Sequence, residues 1–530
     1  MPATSAPSVH DLRAEFESIL ANVMGEEGRS VTADTMERRL LRQLLALGRS
    51  LLALFLVTRA AATAQLAHRD PAGVDRPYHS ERPRHYLSIF GAVEFARPYF
   101  YRQGVGGVAP VDAQLSLPAT ACSDLVRESV EELAADLPYH KATGMLRRWF
   151  GLALSSRLVQ EQLAEDAPEV AAFYVEQPPP PVAEEASILV VQADGKGVPI
   201  LRPTTTPAPV RLGKGQKYGG KKEAILTAVY TIAPAVRTPE SVVASLFDTP
   251  PEGELPAATD QAARPGPQHK RLWATLAGKA AALTEAAAHV AARDGAHLTD
   301  RVALTDGCQA LQERVQQQFP TFTLVLDLIH VVEYLWKAAN ALLGETNPQR
   351  IAWVQARTLL LLQSQAELIV AEFLGLAEQL EQTASQAKVL REVAAYLARN
   401  QPWLDYARYL AAGWPIATGV IEGACRHLVK DRCERSGMRW TIDGAESLLH
   451  LRCAFENGDW DAFHAFRRRQ RHAQLYLLPY PAPPAPIELA ALEGPPTPSP
   501  PQRPSGVNRG ETHPNHFRTL SNRAARIDPH

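Results

Sequence analysis

SILVVQADGKGVPI (187–200), RVALTDGCQAL (301–311) and TFTLVLDLIH (321–330) decide the fold. Each opens as a short apolar run rich in branched side chains, the pattern of a buried strand. Each then reaches an aspartate where the strand is expected to end: Asp194, Asp306 and Asp327. KKEAILTAVYTI (221–232) supplies another strand, and 241–247 reads as a weaker one. The stretches 268–292 and 308–319 read as helices. Strands mixed with helices in this order predict a multidomain α+β protein whose core is a mixed sheet flanked by helices, an order similar to the ribonuclease-H-like fold.

Working outward, 530 residues are too many for one core. Apolar residues recur at three and four through LRAEFESIL (12–20) and MERRLLRQLLALGRSLLALFLV (36–57), which predicts an N-terminal helical region over 1–75, a candidate dimerisation arm. HYLSIFGAVEFARPYFYR (85–102) reads as two strands about a turn near Gly91, a β-hairpin element within 76–115. Three short helical segments follow within 116–175, with Ser155 and Ser156 as N-caps of the third. Their spacing suits a helix-turn-helix, or equally a plain three-helix packing unit. EQPPPPVAEE (176–185) marks a semi-rigid linker over 176–186. The catalytic core is expected in two parts, 187–330 and 413–475, around a helical insertion at 331–412. The proline-rich tail, 476–530, is expected to be disordered.

The formal net charge of −2 gives no overall basic excess, so any nucleic-acid surface must come from local clusters. Five cysteines, scattered and odd in number, argue for a reducing compartment, and no CxxC pair offers a structural zinc site. The apolar stretch 51–57 is too short to span a membrane and lies too deep for a signal peptide. A soluble, cytoplasmic chain with no membrane partner is expected.

TGVIEGACRHLVKDR (418–432) carries Glu422 in the opening turn of a helix that then turns basic. Two strand-end aspartates plus a helix-borne glutamate can hold two Mg²⁺ ions, with Mn²⁺ as a substitute, for phosphodiester chemistry. Each member also has a bland reading: an Asp-Gly turn for Asp194, a helix cap for Asp306, a surface ion-pair ladder for Glu422 with Arg426 and Lys430 at i+4 and i+8. Arg432, Arg439 and Trp440 extend the basic run, the tryptophan offering a face for stacking on an unpaired base. In RLGKGQKYGGKK (211–222), Lys214, Lys217, Lys221 and Lys222 suit a loop gripping the DNA backbone. The P-loop string is absent, so no nucleotide cofactor is expected.

The strings DGKG, LTDG, LVLDLIHVVEYLWKAAN, IEGACRHLVKDR and SGMRW resemble the DDE insertion-sequence transposases of bacteria, the ISKra group, over about 90–466. The resemblance implies that Asp194, Asp306 and Glu422 are the catalytic, metal-binding residues, with Asp327 as second choice to Asp306. In Mutator-like relatives a Cys-x-x-His pair follows the second aspartate; here Asp327 and His330 stand there, which leaves the role of His330 open. It also implies a bacterial, nucleoid-associated protein that cleaves insertion-sequence ends and transfers the 3′-hydroxyl to target DNA. Its partners would be terminal inverted repeats and target double-stranded DNA, bound by a homodimer or larger assembly. The helical insertion and a DNA-binding role for 116–175 follow from the same likeness. The alternatives are a retired transposase that only binds DNA, or a ribonuclease-H-like nuclease without strand transfer.

Overall fold

The computed structural model describes residues 7–63, 67–70, 73–201, 220–247, 265–380, 385–435, 437–476 and 479–480. Lys214, Lys217 and the expected proline-rich tail beyond 480 lie outside them. The chain divides into two compact units, one built from Met1–Val175 and the segment that starts at Gly458, the other from Glu176–Asn457.

The first unit opens with α1 (Val9–Met24), the short α2 (Glu26–Ser30) and α3 (Ala33–Ala61). Ser8 starts α1 with a reciprocal capping box to Asp11, and Thr32 caps α3 through the Thr35 N–H. Four strands follow: β1 (Ala67–Arg69), β2 (Asp75–Ser88), β3 (Gly91–Arg102) and β4 (Gly106–Val108), forming an antiparallel sheet in that order. The β2–β3 hairpin turns at Ser88–Gly91, with Gly91 in a positive-φ conformation that favours glycine. Leu56 and Ala60 of α3 are buried with Val93 and Phe95 of β3. The rest of α3 is largely uncovered, with Leu41, Leu44, Leu51 and Phe55 exposed. By length and composition this 29-residue helix could cross a membrane, its most apolar window having a mean hydropathy of 1.7. The length argument drawn from 51–57 alone therefore fails, because the apolar run continues on both sides of it inside one helix.

After the short α4 (Pro110–Gln114) come α5 (Asp124–Asp136), α6 (Tyr139–Phe150) and α7 (Ser156–Glu176). These are the three expected helices, with Ser155 rather than Ser156 capping the third through the Leu158 N–H. The helix Trp460–Leu475 returns to this unit, which corrects its assignment to a core segment 413–475. Buried charge holds it there. Arg467 meets Asp124 at 3.1 Å and Asp166 at 3.2 Å, and Arg468 and Arg471 pair with Glu128 and Asp124. Arg127 lies beneath, against Glu131 and Asp166.

The second unit is built on a five-stranded sheet: β5 (Ile188–Pro199), β6 (Lys221–Ile232), β7 (Gln268–Thr275), β8 (Asp300–Thr305) and β9 (Thr323–Leu326). Their order is β7-β6-β5-β8-β9, with β5, β8 and β9 parallel and β6 and β7 antiparallel to their neighbours. Two expectations change here. The expected strand at 241–247 is α8 (Pro239–Phe247), because a short apolar run fits helix and strand equally. The expected helix over 268–292 is strand β7 followed by α9 (Lys279–Arg293), β7 being exposed at its charged start and buried in its second half.

Side chains alternate across β5. Leu189, Val191 and Ala193 enter a core with Leu283, Ala286 and Val290 of α9 and Leu311 and Val315 of α10 (Gln309–Gln318). Beyond β9 the chain is helical through α11 (Leu328–Leu343), α12 (Gln349–Leu362), α13 (Ala366–Gln379), α14 (Ser385–Asn400) and α15 (Tyr406–Ala411). It then forms α16 (Gly419–Ala424), a π-helical turn Cys425–Lys430, the short α17 (Asp431–Cys433) and α18 (Ile442–Glu456).

Candidate functional site

The parallel strands align the aspartates. Gln192 of β5 pairs with Leu304 of β8, and two residues further along the chain from each stand Asp194, still on β5, and Asp306, just past the end of β8. Thr305 of β8 pairs with Leu326 of β9, so the next residues, Asp306 and Asp327, are level too. The three carboxylates occupy one row across three neighbouring strands. By alternation, Asp194 lies on the sheet face opposite the α9–α10 core. Asp194 does not end its strand, as the sequence led one to expect. β5 runs on to Pro199 against β6, and what stops at this level is its pairing with β8.

Glu422 reaches the same face through a buried polar hook. Gln192, two residues before Asp194 and wholly buried, accepts from the Ile421 N–H at 3.0 Å. Its side-chain amide donates to the Tyr230 hydroxyl at 3.0 Å and to the Ala417 carbonyl at 3.4 Å. Four residues further along the chain, the Cys425 thiol donates to Asp194 Oδ2 at 3.3 Å. Sequence reasoning missed Gln192 and Cys425. A polar residue inside an apolar strand run was the only available sign of the first.

Each carboxylate is held by local donors. Asp194 Oδ1 accepts from the Gly195 N–H at 2.6 Å, and Asp306 Oδ1 from the Cys308 N–H at 3.0 Å. Thr418 Oγ1 donates to Glu422 Oε1 at 3.3 Å. Asp327 has no exposed surface and caps α11: its Oδ1 accepts from Ile329 N–H and Thr418 N–H, and its Oδ2 meets His330 Nδ1 at 2.7 Å. Asp327, His330 and Glu422 each offer one ligand atom within 4.8 Å of the others.

Two glycines shape the rim. A Cβ on Gly195 would meet the Glu223 carboxylate from β6 at 2.4 Å, so this glycine makes room for a cross-strand side chain. Gly307, at φ +77°, needs the left-handed region that glycine tolerates, and Tyr396 closes over it.

The electrostatics are those of paired carboxylates, Asp194 with Asp306 and Glu422 with Asp327, with His330 as the positive group that Asp194 and Glu422 both feel. Burial raises the proton affinity of Asp194, and the nearby Asp306 adds to it against the Cys425 and Gly195 hydrogen bonds. Burial likewise raises Glu422, with Asp327 adding and His330 opposing. Burial works against charging His330, but the hydrogen bond and charge of Asp327, with Glu333 and Asp306, carry it up to about 9. Among the described residues, no lysine or arginine forms an ion pair with Asp194, Asp306 or Glu422; Lys221 and Arg426 pair instead with Glu434 and Asp431. Among the described residues, the ligand atoms that gather within 4.8 Å of one another at this centre are those of Asp327, His330 and Glu422, not those of Asp194 and Asp306 with Glu422; carboxylate oxygens of this kind suit a hard divalent cation.

The basic run is rearranged relative to expectation. The π-helical turn after α16 breaks the i, i+4, i+8 ladder, and Arg426 approaches Asp431 at 3.8 Å instead of Glu422. Arg432 is buried at 1% exposure with its guanidinium 4.9 Å above the Trp440 ring, which is itself buried. The Trp440 indole donates to the Cys433 carbonyl at 3.2 Å. Neither side chain is available to DNA. Arg426, Lys430, Arg435 and Arg439 remain exposed. Lys221 pairs with Glu434 at 2.6 Å, and Lys222 is half-buried on β6.

No family model matches this chain, and no curated protein matches it. Among solved structures, the Drosophila P element transposase strand transfer complex aligns at 10% identity and a TM-score of 0.23, over 67% of this chain and 82% of that one. A TM-score of that size does not establish a shared fold.

Proposed function

We propose that this chain is a DDE-type transposase with a ribonuclease-H-like catalytic unit, cutting DNA at insertion-sequence ends and joining the freed 3′-hydroxyl to target DNA. The observation that carries the reading is the row of Asp194 and Asp306 on adjacent parallel strands, with Gln192 hooking the Glu422 segment onto the same strand. The strand order, with a central parallel pair and two antiparallel strands on one side, supports the ribonuclease-H-like assignment. The motif resemblance to the ISKra group supports the choice of substrate.

Asp194, Asp306 and Glu422 would hold two Mg²⁺ or Mn²⁺ ions, which when bound activate the attacking hydroxyl and stabilise the leaving oxygen. The protein's part is positional. Gly195, Cys308 and Thr418 each fix one oxygen of these carboxylates and so set the direction of the other. Cys425 is a weak donor to Asp194 Oδ2, a bond that a cation can displace at little cost. Arg426, Lys430, Arg435 and Arg439 are exposed basic residues beginning four residues after Glu422, suited to holding the DNA backbone without reading sequence. The helices α5 to α7 would recognise the terminal repeats, and a homodimer or larger assembly would hold two ends together.

A labelled terminal-repeat oligonucleotide incubated with Mg²⁺ and a supercoiled target plasmid tests the whole reading. Joined plasmid–oligonucleotide product is expected. Cleavage without any joining would favour a nuclease of the same fold, and neither product under Mg²⁺ or Mn²⁺ would remove the catalytic reading.

A further inference from the structure

Asp327 and His330 are left over by the three-carboxylate reading, yet they are built into the same centre. Asp327 is completely buried and already accepts three hydrogen bonds, from Ile329 N–H at 3.2 Å, Thr418 N–H at 3.1 Å and His330 Nδ1 at 2.7 Å. A carboxylate so engaged has little capacity left for a cation. His330 differs. Its Nδ1 is committed to Asp327, its ring is one-third exposed, and Nε2 is the nitrogen left to meet anything else. Histidines that bind metals commonly hand their other ring nitrogen to a carboxylate in this way, which fixes the tautomer and the ring. Thr418 links the pair to the rest of the centre: its N–H goes to Asp327 and its hydroxyl to Glu422 Oε1 at 3.3 Å. Ligand atoms of Asp327, His330 and Glu422 lie within 4.8 Å of one another.

We propose that His330 Nε2 is a nitrogen donor to a divalent cation shared with Glu422, and that Asp327 is a positioning residue that aims it. The inference rests on the metal-dependent reading above and adds to it a mixed nitrogen–oxygen position. Imidazole suits first-row transition ions better than Mg²⁺, whose preferred donors are oxygens. That position therefore favours Mn²⁺ over Mg²⁺. It also gives Asp327 a role other than that of second catalytic aspartate, and leaves that place to Asp306.

The test is pulsed electron paramagnetic resonance on the full chain loaded with Mn²⁺. Nitrogen modulation of the electron spin echo is expected in the wild type and should vanish in His330→Ala. Mn²⁺ affinity, read by titration, should fall roughly 10- to 100-fold in Asp327→Asn, the usual range for losing a residue that orients a metal ligand. In His330→Ala it should fall at least tenfold, and Mg²⁺ affinity by less. His330→Gln is a second variant should the alanine fail to fold, and the wild-type spectrum needs no variant. Mn²⁺ bound without nitrogen modulation would overturn the inference and reduce the pair to a helix cap, while leaving the three-carboxylate reading intact. No Mn²⁺ binding at all would overturn both.

Discussion

Gln192 is the residue whose loss most directly separates folding of the sheet from assembly of the site. Its side chain accepts from Ile421 N–H and donates to the Tyr230 hydroxyl, both buried, and donates more weakly to the partly buried Ala417 carbonyl. Gln192→Met keeps the length and apolar bulk but leaves the Ile421 N–H and the Tyr230 hydroxyl without this partner. Each buried polar group left unsatisfied costs about 1–3 kcal/mol, so ~3 kcal/mol for the two is a moderate figure. Local attachment of the α16 segment to β5 should therefore weaken on the order of 150-fold. Hydrogen exchange followed by mass spectrometry reads this directly: a peptide covering Ile421 should exchange faster by about that factor, while peptides from β8 keep their protection. Strand cleavage should fall at least 100-fold, because the segment carrying Glu422 is no longer held to the strand carrying Asp194, with terminal-repeat binding within a few-fold of wild type. Unchanged exchange at Ile421, or full cleavage with the hook removed, would refute the reasoning.

Two further outcomes follow from buried charge. Burial and the neighbouring Asp166 raise the proton affinity of Glu131 well above that of a free glutamate. A raised carboxylate contributes stability below its unfolded pKa and loses it as pH climbs through the folded value, by as much as about 1.4 kcal/mol per pH unit for one proton. Glu131→Gln should accordingly flatten the decline in urea stability of the first unit above about pH 4.5; an unchanged slope would show that Glu131 folds ionised. Nearby His464, held down to about 2 by burial and then Arg467, Arg468 and Arg127, acts in the opposite sense, losing stability as pH falls below about 6.5, and does so in both proteins. In the second unit, Arg432→Ala should destabilise by ~2 kcal/mol or more through lost packing on Trp440. Arg435→Ala with Arg439→Ala should leave stability within about 0.5 kcal/mol and reduce the salt dependence of DNA binding by about two phosphate contacts. The reverse pattern would return Arg432 to the DNA surface.

The strands bearing the aspartates were legible because buried parallel strands read as near-continuous apolar runs, and VVQAD, VALTD and LVLD do so with at most one polar residue before the aspartate. Their common row was not, since register is a property of pairing between strands far apart in sequence. β7 was misread because its exposed half, beginning at Gln268, is polar and charged like a helix surface. The π-helical turn at Cys425–Lys430 has no compositional sign, so the basic residues were spaced as on an α-helix and Arg432 was placed outside when it is inside. Gln192 was passed over because a single polar side chain in a strand run carries no mark of the partner it will find more than two hundred residues later.

The central claim is that Asp194, Asp306 and Glu422 act together as the cation-holding centre of a DNA-cutting enzyme. The most direct measurement is Mg²⁺-dependent cleavage of a terminal-repeat duplex by Asp194→Asn, Asp306→Asn and Glu422→Gln, with duplex binding measured on the same preparations. Each variant should lose cleavage by at least 1,000-fold, about 4 kcal/mol of transition-state stabilisation, with binding within a few-fold of wild type. Cleavage surviving in any one of the three, or lost only in step with binding, would contradict it.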